Sequence, residues 1–72
     1  MTKFIGNGIF KSYSQEMDLQ QSIVVCDLGD LLKLPKELST NLIVVRGNRK
    51  LDDEDLICDD DEILFYFAAM GG

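Results

Sequence analysis

The stretch Ile63-Leu64-Phe65-Tyr66-Phe67 constrains the fold more than any other part of the chain, because both of its alternating sets of side chains are apolar. Successive side chains of a strand point to opposite faces of a sheet, so Ile63, Phe65 and Phe67 share one face and Leu64 and Tyr66 the other. Leu42-Ile43-Val44-Val45 has the same two-sided character. Only one segment offers a good helix to cover such a sheet. Leu28, Leu31 and Leu32 recur at helical spacing between Asp27 and Leu34, with Asp27 placed to cap and Pro35 placed to stop the turn. One short helix covers one face. Part of an apolar set is therefore expected to remain exposed, unless loops or residues 35–40 cover it.

The remaining segments give an order of elements. Thr2 to Ile5 and Ile9 to Met17 flank Gly6-Asn7-Gly8, and an Asn-Gly pair adopts the positive φ angles of a tight turn, which predicts an opening β-hairpin. Ser12, Ser14, Gln15 and Glu16 make the second arm polar, as suits an edge strand. Gly29 costs the helix about 1 kcal/mol relative to alanine. The β-branched Ile23-Val24-Val25 before the helix suits extended structure equally well, so the start of the helix stays open. Pro35 to Thr40 reads as a turn or short helix. Arg46-Gly47-Asn48-Arg49 turns Leu42–Val45 into a short strand near Lys50-Leu51, a second hairpin. Asp52 to Asp61 then forms an acidic connection with Leu56-Ile57-Cys58 packed inward. The sum is an α+β chain, with one main helix against a mixed sheet of four or five strands. That is the β-grasp arrangement.

The 72 residues allow one small domain, residues 1–72, and a domain of this size buries only ~60% of its unfolded surface. The net charge of −6 argues against nucleic acid, whose binding rests on Lys and Arg at phosphates. Eight of the thirteen acidic residues fall between Asp52 and Glu62. Such a segment either steers a basic partner or keeps a loop solvated. It lacks the spacing of a calcium loop, and two cysteines without histidine make a poor zinc site, so no metal is expected. Cys26 and Cys58 read as small buried hydrophobes. The longest apolar run is the eight residues from Ile63 to Met70, far short of the ~20 that span a bilayer. No secretory apolar core precedes Asn7, and a cytoplasmic location is the expectation.

The chain closes on Gly71-Gly72, directly after that apolar run. Glycine lacks the Cβ that blocks close backbone approach, so such a tail can enter a narrow channel and present a main-chain carboxylate. A double glycine is also what a frayed terminus or a cloning remnant looks like. Several features together resemble the ThiS/MoaD sulfur carriers, a ubiquitin-like β-grasp family. These are Gly6-Asn7-Gly8 after the first strand, the leucine helix ending at Leu34-Pro35, the Val45 to Asn48 turn, Asp60-Asp61-Glu62-Ile63-Leu64 before the last strand, and the terminal Gly71-Gly72. The early strand-turn-strand and the short length look more like ThiS. Ala68-Ala69-Met70 stands where MoaD carries a Pro-Pro.

The resemblance implies a carrier protein and not an enzyme, with no permanently bound cofactor. Gly72 would be adenylated with ATP by a ubiquitin-activating-like (ThiF/MoeB-like) adenylyltransferase and converted to a thiocarboxylate, with Gly71 as its flexible neighbour. A cysteine desulfurase persulfide would supply the sulfur. A sulfur-accepting synthase, most closely a thiazole synthase in thiamine biosynthesis, would receive it. The residues agree that the chain cannot activate its own carboxylate, having no histidine, no phosphate loop and no apparent nucleophile-base pair. Leu64, Phe65, Tyr66, Phe67, Ile43 and Val45 are the candidate docking residues for a partner. The small subunit of molybdopterin synthase, a ubiquitin-like protein modifier and a plain interaction module are the alternatives.

Overall fold

The computed structural model describes residues 1–68 and contains a mixed five-stranded sheet, a two-stranded ribbon and a few short helices. The sheet comprises β1 (Thr2–Gly6), β2 (Gln15–Met17), β4 (Leu42–Arg46), β5 (Arg49–Lys50) and β7 (Glu62–Phe67), in the order β2-β1-β7-β4-β5. The strand with the strongest sequence signal, β7, takes the centre. It pairs parallel to β1, with Phe4 opposite Ile63, and antiparallel to β4, with Val44 opposite Phe65. β3 (Ile23–Val24) and β6 (Leu56–Ile57) form the separate ribbon.

The alternation expected for β7 decides where the core lies. Ile63 and Phe65 are fully buried together with Phe4, Val44 and Ile57, while Leu28, Leu32 and Leu34 close over them from one side of the sheet. Leu28 and Leu32 thus do what their spacing predicts, but the helix is shorter than expected. A 3₁₀ turn (Val25–Asp27) leads into a single turn, α1 (Leu28–Leu31), and Asp27 makes no side-chain cap. The stop comes before Pro35. Lys33 adopts φ 58°, Lys33 N–H donates to the Asp30 carbonyl at 3.2 Å, and Leu34 N–H donates to the Gly29 carbonyl at 2.9 Å. These two bonds close the last turn and fold Leu34 back onto the core. A second single turn, α2 (Lys36–Ser39), follows Pro35.

The opening hairpin differs most from expectation. Asn7 stays extended at φ −124° and only Gly8 turns left-handed, so no two-residue turn forms. Residues Gly8–Tyr13 instead wind into a 3₁₀ segment, and pairing of β1 with β2 begins only at Phe4 opposite Gln15. Burial of Phe10 is the reason. Its fully enclosed ring lies 5.5 Å from that of Phe65, 6.2 Å from Tyr13 and 6.4 Å from Phe67, a contact that a tight hairpin would have turned away. The side chain of Ser14 ties the segment down, accepting from Gly6 N–H at 2.8 Å and donating to the Lys11 carbonyl at 2.9 Å.

The cysteines also depart from expectation, since both are exposed free thiols. Ile57 fills the core, so its strand neighbours Leu56 and Cys58 point outward by simple alternation. Among the described residues no helix is long and apolar enough to cross a membrane.

Candidate functional site

One face of the sheet carries the helices; among the described residues the other carries none. On that open face the strand pairings set Ile5, Leu64 and Val45 side by side, with Ile43 beside Tyr66 in the next row toward the end of β7. Four of these side chains are half-buried and Tyr66 is exposed. The opposite end of the face is polar, because Lys3 is flanked by Glu16 on β2 and Glu62 on β7. The result is an apolar belt that occupies the half of the face nearer the end of β7.

The expected docking residues divide between the two faces. Leu64, Tyr66, Ile43 and Val45 meet on the open side. Phe65 is a correction: its ring is fully enclosed in the core, so it offers nothing to a partner. Phe67 lies on the same side as Phe65 and packs partly against the core. Gly71 and Gly72 lie outside the described residues. Ala68 continues the line of β7, its N–H donating to the Asn41 carbonyl at 2.7 Å.

Sequence reasoning missed Ile5 and Ile9. Ile5 follows from the alternation of Lys3, Phe4 and Ile5, since a buried Phe4 turns its neighbours outward. No sequence signal marks Ile9. It is 53% exposed on the 3₁₀ segment, where Asn7, Gly8, Ile9, Tyr66 and Phe67 line a shallow recess of about 350 Å³.

The acidic segment separates into two parts. Asp52, Asp53 and Glu54 share a second recess with Leu42, the residue opposite Phe67, near the end of β7. Asp59, Asp60 and Asp61 lie at its beginning and hold structure. Asp61 accepts from Arg46 at 3.0 Å and from Cys58 N–H at 2.9 Å, while Arg46 also donates to the Leu56 carbonyl at 2.8 Å. Among the described residues, no three His, Cys, Asp or Glu side chains converge as metal ligands.

Asp59 joins three segments. Its Oδ1 accepts from Leu19 N–H at 3.1 Å and from the buried Thr2 hydroxyl at 2.9 Å. These bonds, the Leu19 one foremost, hold its carboxyl below the usual aspartate range. A carboxyl depressed in the folded state stabilises above the unfolded value, and that contribution is lost as pH falls through the folded one. Asp59→Asn is therefore expected to make stability less sensitive to acid. Urea midpoints between about pH 6 and about pH 2 measure this, and an equally steep acid limb in the variant would refute the assignment.

No protein-family model matches the chain, and no curated protein matches its sequence.

Proposed function

We propose that the chain is a β-grasp sulfur carrier whose terminal glycine, Gly72, is the group that reacts. The observation that carries this reading is the central position of β7: the strand is paired on both edges, and its last residue, Phe67, stands five positions before Gly72 in the chain. The strand order, with the first and last strands, β1 and β7, parallel at the centre, antiparallel neighbours on either side and helices on one face, supports the β-grasp assignment. The open apolar face supports a partner that does the chemistry.

A carboxylate is a poor electrophile, because its oxygen leaves badly; activation must come first. A carboxylate oxygen of Gly72 attacks the α-phosphorus of ATP, the bond to the β-phosphate oxygen breaks, and pyrophosphate departs. A persulfide sulfur then attacks the acyl carbon and displaces AMP. A thiol then cleaves the S–S bond carried over from the persulfide, releasing the thiocarboxylate and ending in a mixed disulfide with the donor's sulfur. The adenylating enzyme and the sulfur donor supply these groups, while the chain supplies the acyl end and its grip. A thiazole-forming synthase for thiamine is the acceptor this reading favours.

Intact-mass measurement on protein from its native cell tests the proposal. Replacement of one oxygen by sulfur is expected to add about 16 Da at Gly72, and deletion of Gly71-Gly72 to abolish the adduct. A ladder of isopeptide-linked conjugates without that adduct would refute the carrier reading in favour of a protein modifier.

A further inference from the structure

The recess formed by Asn7, Gly8, Ile9, Tyr66 and Phe67 exists because the 3₁₀ segment replaces the expected hairpin turn. Phe10 must enter the core, and successive side chains of a 3₁₀ turn are about 120° apart, so its neighbour Ile9 is turned away from the core. The segment is fixed in place where Asn7 N–H donates to the Phe65 carbonyl at 3.0 Å. Ile9 and Tyr66 are consequently two large apolar side chains exposed at one end of a rigid sheet, at 53% and 39%.

We infer that this recess seats an apolar side chain of the enzyme that activates the terminal carboxylate; the inference rests on the carrier reading. The occupant follows from the length of chain beyond the described residues. Gly72 lies four residue steps beyond Ala68, and a fully extended chain gains at most ~3.6 Å per step. A catalytic centre acting on Gly72 therefore lies within about 14 Å of Ala68, which brings the protein around it close to this end of the sheet. Tyr66 and Phe67 immediately precede Ala68, and Ile9 stands beside them. The polar end, with Lys3, Glu16 and Glu62, lies at the start of β7, a strand length further away. An apolar side chain entering the recess removes Ile9 and Tyr66 from water where the tether already holds the enzyme nearby.

The test is ATP–pyrophosphate exchange by the ubiquitin-activating-like enzyme of the same cell, with the full chain as the variable substrate. Ile9→Glu is expected to raise the concentration of chain for half-maximal exchange about tenfold while the maximal rate changes less than about twofold. Ile9→Leu retains the wild-type value. Lys3→Ser, at the far end of the same face, leaves it unchanged. Circular dichroism melting verifies that each variant folds, and Ile9→Ser serves as a second polar substitution. Wild-type half-saturation in both polar variants, with wild-type exchange intact, overturns the recess as the seat. An equal rise in Lys3→Ser does so too, because the effect would then belong to the whole face. Absence of exchange with the wild-type chain refutes the carrier reading itself, and this inference with it.

Discussion

Replacing Phe10 by alanine is expected to remove about 3–5 kcal/mol of stability, the range for deleting a fully buried phenylalanine. The ring contacts three other aromatics, those of Tyr13, Phe65 and Phe67, and none of its surface reaches water. A chain of 72 residues has a total stability of roughly 4–11 kcal/mol at ordinary values per residue, so the loss is a large share of it. The 3₁₀ segment is otherwise held by Tyr13, which packs partly against the core, and by the hydrogen bonds through Ser14 and Asn7. Urea denaturation followed by far-ultraviolet circular dichroism gives the measurement. A loss under about 1.5 kcal/mol would show that Phe10 is not the plug the structure makes it.

The second large effect is expected at Gly6. An alanine Cβ there would stand 2.0 Å from the carbonyl oxygen of Phe10 and 2.6 Å from its carbonyl carbon. Both obstacles are backbone, and that backbone is held by the buried ring it carries, so no side-chain rotation relieves the overlap. Gly6→Ala is expected to cost about 3 kcal/mol, the upper part of the range for overpacking, through displacement of the 3₁₀ segment. Comparison with Gly8→Ala separates this from a general intolerance of substitution. Gly8 has open space around it and only its φ of +59° to accommodate, which costs about 1–2 kcal/mol in a non-glycine residue. If Gly6→Ala proved the milder of the two, the close approach at Phe10 would be refuted.

The strands could be read from the chain where their pattern was two-sided and continuous, as at 42–45 and 63–67. What the pattern could not give was which partner each side would find. Gly6-Asn7-Gly8 satisfies the local rule for a tight turn, yet burial of Phe10, worth several times the preference of a turn, overrides it. Lys33 ends the helix in a conformation that usually marks glycine, so nothing in the sequence signalled the stop two residues before Pro35. The cysteines depart from expectation for a different reason. Burial statistics for the residue type outweighed the local alternation, which with Ile57 inward sends Cys58 outward.

At the candidate site, alternation alone sorts Leu64 and Tyr66 from Phe65 and Phe67, and the antiparallel register of β4 brings Ile43 and Val45 beside them. That much follows from period-two reasoning once the covered face is known. Ile9 does not follow, because its exposure depends on a turn of chain that only the packing of Phe10 creates.

The pairing of Lys3 with Glu62 and of Phe4 with Ile63 has a consequence for biosynthesis. Until Phe67 has emerged from the ribosome, β1 and β4 lack the strand that lies between them, and β4 has only its short hairpin with β5. Chains released early would therefore present two unzipped edges to the proteolytic machinery. Closure of the sheet therefore waits for the residues up to Phe67, and the slot between β1 and β4 stays open until they arrive.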